Sequence, residues 1–430
     1  MMNICAVSFH CCPFSLLGGD GTGGMNVYLR EFCSVIESFP DTKIDVFTRI
    51  QNPRIGGIKS FSPQARVIHL KGGPERPIDR TQLHDSLPEF THNLESFIIR
   101  NKEKYDVIYS HYWLSGLVGE GIKRSFNLPL VHIFHTLTFM KKRVLESANR
   151  EHPLRLRSEE HLARLSDAII SSSRHEMQCL VDEYSIPCSK VKVIYPGMNQ
   201  TLFFPVDGAS IPQDMKRRKG ERILLYVGRI DPVKGLMSVI DALNLLKRDD
   251  TSLYDLLKIV IIGGGEKDKE LLQNKEYNRL QAAIIKNNLE GKIIFLGSKK
   301  QSQLRRYYSA SDALIVPSLY ESFGLVAVEA LACGTPVIAS KIGELESLVQ
   351  EGKNGFAFHP NDPVSLAESI RQFFSREKSI WDKQRIRSDV LRRFSWEKTA
   401  QETYTFLKKV TKERAPLTTI FQPGGTLRPV

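Results

Sequence analysis

The segment 313–340 constrains the fold of this chain most, because it reads as strand, loop, helix, turn and strand. Residues 313–316 form a short, apolar and partly β-branched run that is typical of a buried strand. We expect Ser322 to cap a helix over 323–332 and Gly334 to take the left-handed conformation that ends it. The next apolar run then returns as a strand, which indicates half of a doubly wound parallel sheet.

The loop before this helix is the first candidate ligand site. Open α/β sheets bind ligands at the carboxyl ends of their strands, where the amides and dipole of a helix N-terminus favour anions. In a continuous helix Glu321 and Glu329 would lie about 12 Å apart, whereas the carboxylates of a retaining glycosidase lie about 5 Å apart. We therefore expect them to hold different parts of one long ligand, with solvated helix charges as the alternative for this spacing alone. The amides expected at the site are those of Ser322, Phe323, Gly324 and Leu325.

Length and composition indicate a soluble protein with two domains. The chain has 430 residues, 41% of them hydrophobic and 25% charged. No apolar run approaches the ~18 residues of a membrane span, and no signal-peptide pattern precedes the first predicted strand at 3–9, so we expect a cytoplasmic location. The seven cysteines form no C-x-x-C pair, which disfavours zinc and redox sites, and neither a metal nor a cofactor is predicted.

A net charge of +12 favours an anionic partner: nucleic acid, acidic lipid or a phosphorylated metabolite. The basic runs are dispersed and lack the interleaved aromatic residues of a single-strand binder, as at 141–143 and 216–219. Nucleic acid is therefore not expected, and most of these runs are read as solvated surface.

A glycine-rich loop at 18–24 opens a predicted helix over 25–38. Such a loop lets backbone amides approach a phosphate closely, although a mobile surface loop is an equally good interpretation of the glycines alone. The motif G-G-M-N-V-Y that follows makes the phosphate interpretation more specific.

Polar and aromatic residues follow two predicted strands of the first half, at 106–110 and 130–134. The motifs are S-H-Y-W-L-S-G and H-T-L, and the carboxyl ends of parallel strands meet at one crevice. We interpret His111 as a hydrogen-bonded strand end. The residues expected to face the crevice are Tyr112, His135 and Thr136.

The second half repeats the arrangement after a strand at 223–227, where G-R-I-D-P-V-K-G occupies 228–235. Arg229 and Lys234 flank this tight turn. Interpreting them only as two exposed basic residues of a loop is the weaker alternative. Gly264 and Ser298 lie in two further turns that could bring backbone atoms toward a nucleotide. Plain connecting turns are the alternative interpretation.

Together these motifs resemble the family-4 glycosyltransferases of the GT-B fold over residues 1–412. Within that family, G-G-M-N-V-Y, S-H-Y-W-L-S-G and H-T-L are most similar to enzymes that attach a sugar to inositol phosphate and to sucrose-phosphate synthases. The resemblance implies two Rossmann-like domains facing a cleft, with a C-terminal helix that crosses back to the first domain.

On the donor side, the resemblance implies that His135 contacts the transferred sugar and Glu321 its hydroxyls. Arg229 and Lys234 would neutralise the leaving diphosphate, and Glu329 would hold the ribose. The other donor-binding residues implied are Gly23, Gly24, Gly264, Ser298, Ser322, Phe323, Gly324 and Leu325.

On the acceptor side, the resemblance implies a phosphate site where the family uses a lysine, a tyrosine, a threonine and an arginine. The lysine position falls near Arg80 with Arg76 as a rival, and the arginine is Arg155 with Arg157 close enough to compete. The acceptor-binding residues are therefore Asn26, Arg80, Tyr112, Thr136 and Arg155.

The predicted organisation assigns 1–203 to an acceptor-binding domain, 204–220 to a linker and 221–394 to a nucleotide-sugar-binding domain. A helix at 395–412 is expected to pack back on the first domain, and 413–430 to form a mobile tail.

The sequence thus predicts a retaining, metal-independent glycosyltransferase that uses a nucleotide sugar, most simply a UDP-sugar. It would move a hexose or N-acetylhexosamine to a phosphorylated polyol or sugar. The rivals are a peripheral membrane glycosyltransferase with a lipid-linked acceptor and a non-catalytic nucleotide-sugar-binding protein. A homodimer is left open, and contact with a membrane is not favoured.

Overall fold

The computed structural model describes residues 1–15, 24–39, 41–79, 82–144, 154–206, 211–265 and 268–414. These residues form two α/β domains, each with a mainly parallel sheet and hydrophobic cores on both faces. Buried parallel sheets need helices on both faces, which is the doubly wound architecture that the sequence predicts.

The first domain contains the longer sheet. Its strands are β1 (Met2–Val7), β2 (Thr42–Arg49), β3 (Gly57–Ser62), β4 (Ala65–Leu70), β5 (Val107–His111), β6 (Leu130–Ile133), β7 (Ala168–Ser171) and β8 (Val191–Val193). Its helices are α1 (Gly24–Val35), α2 (Leu87–Asn101), α3 (Trp113–Phe126), α4 (Thr138–Lys142), α5 (Arg155–Leu165) and α6 (Arg174–Asp182). The strand order is β3-β4-β2-β1-β5-β6-β7-β8, so the order reverses between β1 and β5 and a crevice opens there.

The second domain follows the same plan with a smaller sheet. Its strands are β9 (Arg222–Val227), β10 (Leu257–Ile262), β11 (Ile293–Phe295), β12 (Ala313–Val316), β13 (Val337–Ser340) and β14 (Gly355–Phe358). The helices are α7 (Leu236–Asp249), α8 (Thr251–Leu256), α9 (Asp268–Gln273), α10 (Lys275–Lys286), α11 (Gln301–Ala310), α12 (Leu325–Ala332), α13 (Gly343–Leu348), α14 (Pro363–Ser375), α15 (Lys383–Arg393) and α16 (Trp396–Arg414). The order β11-β10-β9-β12-β13-β14 places the reversal between β9 and β12.

The last helix, α16, leaves the second domain and packs on α1 of the first. The ring of Trp396 meets that of Tyr28 edge to face at 5.4 Å between centroids. A Cβ at Gly197 would lie 2.3 Å from the backbone nitrogen of Trp396, so the two segments are in direct backbone contact. The predicted return of the C-terminal helix is confirmed.

Two local expectations are wrong. Helix α12 begins at Leu325 rather than 323, and Ser322 does not cap it, because Gly324 takes the N-cap position at φ +93°. The Ser322 hydroxyl instead lies 3.0 Å from the Tyr320 hydroxyl. The sequence analysis also missed β3, an exposed edge strand that pairs antiparallel with β4 and therefore lacks a buried apolar face.

Within the described ranges, no helix combines the length and apolar content needed to cross a membrane.

Candidate active site

The two loops that follow β9 and β12, residues 228–235 and 317–324, are held against each other; we call them the loop pair. The Leu319 amide donates to the Val233 carbonyl at 2.8 Å. Gly235 has φ +67°, and a Cβ there would lie 2.0 Å from the carbonyl oxygen of Pro317. The close backbone approach explains the glycine and fixes the loop pair at the topological switch point.

The loop pair brings together Lys234 and Glu321, whose Nζ and Oε2 lie 2.5 Å apart. Their side chains remain 17% and 19% exposed, so a ligand in the cleft can reach both. Arg229 is more open, at 44% exposed, and its guanidinium lies 3.5 Å from Asp231. The arrangement offers two cations and one carboxylate to a ligand with both anionic and hydroxyl groups.

Glu329 is less exposed than Lys234 and Glu321 and lies on the buried side of α12. The Tyr308 hydroxyl donates to its carboxylate at 2.9 Å and the Gln301 amide at 3.3 Å. Burial raises the pKa of Glu329 to about 7. Arg30 of the first domain donates to the Gln301 side chain at 2.5 Å, so the surroundings of Glu329 include both domains.

Gly264 and Ser298 belong to two turns that are joined to each other. The Ser298 amide donates to the Gly265 carbonyl at 2.7 Å, and the Gly265 amide donates to the Ser298 hydroxyl at 3.1 Å. Gly264 itself has φ +90°. These contacts place both residues at the carboxyl end of the β10–β11 pair, beside the loop pair.

Gly24 begins α1 and approaches the second domain. A Cβ at Gly24 would lie 3.4 Å from the Leu325 side chain, so the start of α1 faces the start of α12. Gly23 lies outside the described residues. Asn26, in the first turn of α1, is buried, and its amide donates to the Cys12 carbonyl at 3.0 Å.

His135 follows β6 in an unusual backbone conformation, with φ +60°. Its Nε2 lies 3.0 Å from Nδ1 of His111, the last residue of β5. Burial lowers the pKa of His135 to about 3 and holds the pKa of His111 well below its ordinary value. Both rings are therefore neutral at physiological pH.

Tyr112, Thr136 and Arg155, which we call the arginine cluster, converge from three segments. The Arg155 guanidinium donates to the Thr136 hydroxyl at 2.8 Å and lies 4.8 Å from the Tyr112 ring centroid. Arg155 is buried and also donates to Glu159 at 2.7 Å. Tyr112 and Thr136 are partly exposed, so they form the surface of the cluster and Arg155 lies beneath it.

The arginines that compete in the prediction of the acceptor phosphate site differ in burial and contacts. Arg157 is exposed, and Arg76 is exposed as well. Arg80 lies outside the described residues. Of the two arginines at the start of α5, Arg155 is the one that joins Tyr112 and Thr136.

Comparison with known proteins bears on these assignments. Residues 22–202 match the family model described as Glycosyltransferase Family 4, and 209–387 match Glycosyl transferases group 1. The D-inositol 3-phosphate glycosyltransferase of Geodermatophilus obscurus is 30% identical, covering 99% of this chain and 93% of its own. The chain belongs to the family-4 glycosyltransferases.

Other relatives agree with this glycosyltransferase assignment. The D-inositol 3-phosphate glycosyltransferase of Salinispora tropica is 32% identical over 93% of this chain and 83% of its own. The sucrose-phosphate synthase structure from Thermosynechococcus elongatus superposes with a TM-score of 0.85 at 29% identity, over 96% of this chain and 100% of its own. HepE of Anabaena, solved with UDP and glucose, shares the fold with a TM-score of 0.71 at 20% identity, over 95% of this chain and 100% of its own. The GT-B fold is confirmed.

In this glycosyltransferase, the sequence analysis missed residues that join the predicted ones. Tyr320 accepts a 3.4 Å hydrogen bond from the Leu137 amide and lies next to Ser322, so it links the two domains across the cleft. Glu159 is four residues after Arg155 on α5, a spacing that signals an ion pair on one helix face. No comparable signal marks Tyr320, because its partner is 183 residues away in sequence.

Among the described residues, no group of three or more His, Cys, Asp or Glu side chains is placed to hold a metal ion.

Proposed function

We propose that this glycosyltransferase moves a hexose or N-acetylhexosamine from a nucleotide sugar, with UDP as the nucleotide, to a phosphorylated polyol or sugar such as inositol phosphate. The observation that carries the proposal is the arginine cluster, which lies across the cleft from the loop pair. A guanidinium, a phenol and a hydroxyl that converge on one place suit a phosphate monoester. The names of the relatives, D-inositol 3-phosphate glycosyltransferases, support the same acceptor class.

On the donor side, the reaction places positive charge on the anomeric carbon and negative charge on the leaving diphosphate. Lys234 and Arg229 stabilise that diphosphate, together with the amides at the start of α12. Glu321 accepts from the sugar hydroxyls, and in doing so it exchanges part of its contact with Lys234 for the substrate. Glu329 accepts from the ribose hydroxyls, and Ser298 and Gly264 face the base through main-chain atoms.

The stereochemical course in this proposal is retention, by same-face attack that the leaving phosphate assists. His135 contacts the transferred sugar as a neutral ring. No metal takes part, and the protein works in the cytoplasm.

The test is a donor-by-acceptor screen of the purified full-length protein. UDP-, ADP- and GDP-linked glucose and N-acetylglucosamine are each offered with inositol phosphate, a hexose phosphate and the dephosphorylated forms. We expect a UDP-sugar and a phosphorylated acceptor to be preferred, the latter by at least ~100-fold because a phosphate accepts more than one charge-assisted hydrogen bond, and turnover to be unchanged by EDTA. Equal turnover of free and phosphorylated acceptors would reject the acceptor class.

Two additions to the screen address the remaining alternatives. NMR of the product should show an α-linkage from an α-linked donor, and an inverted centre would reject the mechanism. Vesicles that carry an anionic lipid should neither bind the protein nor supply an acceptor; binding with transfer to lipid would favour the membrane-enzyme rival.

A further inference from the structure

His111 has no role in the proposed reaction, yet it is placed against a residue that does. It ends β5 with its side chain fully buried, and its ring lies nearly parallel to that of His135, at 23° and 5.2 Å between centroids. The hydrogen bond between His111 Nδ1 and His135 Nε2 is 3.0 Å long. The contact joins the fully buried last residue of β5 to a partly exposed residue that follows β6.

Two neutral imidazoles share one proton in such a bond, so one ring donates and the other accepts. The other nitrogen of His111, Nε2, is buried and has no hydrogen-bond partner among the described residues. If His135 donated, His111 would carry its proton on Nε2, as a buried N–H without an acceptor. A buried N–H without a partner is rarer than a bare lone pair, so the opposite arrangement is favoured.

We propose that His111 is a positioning residue for His135: it donates from Nδ1 to His135 Nε2 and thereby keeps the proton of His135 on Nδ1. His135 then offers an N–H to an oxygen atom of the substrate, in one fixed orientation. His135 takes a left-handed backbone conformation, at φ +60°, which a residue other than glycine keeps only where its surroundings hold it. The substrate part of this inference rests on the proposed function, whereas the tautomer does not.

The tautomer is tested first, on the wild-type protein without substrate. Histidine labelled with ¹⁵N is incorporated, and long-range ¹H–¹⁵N correlations are assigned with H135N and H111N. We expect protonated Nδ1 and unprotonated Nε2 on both rings from pH 6 to pH 8. A protonated Nε2 on His135 would overturn the proposal whether or not the enzyme's substrates have been found.

The kinetic test compares H111F, H111N and H132F, with UDP-sugar hydrolysis or transfer as the assay. His132 is the matched control, because it is equally buried and its Nδ1 lies 2.7 Å from the Ser110 hydroxyl rather than from His135. We expect H111F to lower kcat about ten-fold, which is the effect of one lost orienting hydrogen bond. H111N, whose amide can replace Nδ1–H, should recover most of that loss, and H132F should stay within about three-fold of wild type.

Equal losses in H111F and H132F would show that His111 acts only through packing. Failure of all three variants to fold leaves the tautomer measurement as the deciding result. If the wild-type protein has the predicted tautomer but no activity on any tested donor, the proposed function fails and the positioning contact stands.

Discussion

The loop pair and the arginine cluster each contain an ion pair, and the two pairs differ in how tightly the protein encloses them. Lys234 and Glu321 keep 17% and 19% of their side chains exposed. Arg155 and Glu159 keep 1% and 0%. The first pair can therefore exchange partners with a ligand, whereas the second belongs to the core.

The surroundings of Glu159 explain the difference. It accepts hydrogen bonds from the amide and hydroxyl of Thr138 and from the Tyr184 hydroxyl, as well as from Arg155. The positive charge of Arg155 is compensated before any acceptor arrives. We infer that the arginine cluster selects the acceptor by hydrogen-bond geometry. The loop pair instead acts by charge, because a bound donor takes over part of the contact between Lys234 and Glu321.

The largest expected effect tests the loop pair. Lys234→Ala should lower kcat by about 10²–10³-fold, because charge on the leaving diphosphate grows in the transition state and one donor to such charge is worth that much. Steady-state kinetics with the donor varied will separate kcat from KM. Lys275→Ala, an exposed lysine on α10, is the control and should be unchanged.

A Lys234→Ala enzyme with normal kcat and a raised donor KM would mean that Lys234 contributes only to ground-state binding. In that case the loop pair would resemble the arginine cluster, and the contrast between them would disappear.

The next effect is the pH dependence that Glu329, on α12 next to the loop pair, contributes to stability. Burial raises the pKa of Glu329 from 4.5 in the unfolded chain to about 7. Its contribution to stability is fully present below pH 4.5 and is lost as the pH rises through 7, in total about 3 kcal/mol at ~1.4 kcal/mol per unit. Glu329→Gln, which cannot ionise, should remove this loss, as measured by urea unfolding at pH 5 and pH 8.

A buried histidine of the first domain should show the opposite sign. Burial lowers the pKa of His135 from 6.5 in the unfolded chain to about 3, so its contribution to stability is fully present above pH 6.5 and is lost as the pH falls toward 3. His135→Asn should therefore remove a loss of stability at pH 5, whereas Glu329→Gln should remove a loss at pH 8. The same slope in wild type and Glu329→Gln would show that Glu329 is ionised throughout.

The third effect concerns the acceptor. Arg155→Ala should reduce the preference for the phosphorylated acceptor by about 10-fold, since Thr136 loses the hydrogen bond from Arg155 that orients its hydroxyl and one hydrogen bond contributes about 0.5–1.5 kcal/mol. Slow donor hydrolysis should persist, because the loop pair is unchanged. Arg157→Ala is the matched control, an exposed arginine two residues further along α5, and should keep the preference.

Removing Arg155 also leaves Glu159 buried without its cation, which costs about 3–5 kcal/mol when a buried pair is broken. The double variant Arg155→Met with Glu159→Gln should regain much of that stability but not the acceptor preference. Recovery of both would mean that the arginine cluster is only a structural ion pair.

Much of the fold could be predicted from the sequence, because buried parallel strands are continuous apolar runs and their turns carry glycines. Strands such as β12 were predicted at their observed bounds, and Gly334 has the expected positive φ of 72°. The helix start failed because Gly324, rather than Ser322, turns the chain into α12. A Cβ at Gly324 would lie 2.5 Å from the Leu345 side chain, and that contact depends on tertiary structure.

Some contacts of the candidate site could be predicted from the sequence and others could not. Lys234 and Glu321 can be predicted to lie near each other because each lies in a motif next to a strand, and the sheet brings the two motifs together. The sequence could not show that Arg155 lies beneath Thr136, since side-chain burial depends on three separate segments. Roles for Asn26, Gly264 and Ser298 stay predictions that only bound ligands or variants can test.

The smallest effect concerns the contact that connects the two halves of the comparison. Tyr320, next to Glu321, accepts from the Leu137 amide at 3.4 Å; its own proton is then available to Ser322, 3.0 Å away. Tyr320→Phe removes both bonds and should cost about 1 kcal/mol of stability. Because Leu137 follows Thr136 directly, the loss should also raise the acceptor KM, measured at saturating donor, by a few-fold.

Ser322→Ala, which removes the second bond but keeps the first, is the control for Tyr320→Phe and should leave the acceptor KM unchanged. An equal rise in both variants would place the effect in the donor loop alone, and the loop pair and the arginine cluster would then act independently.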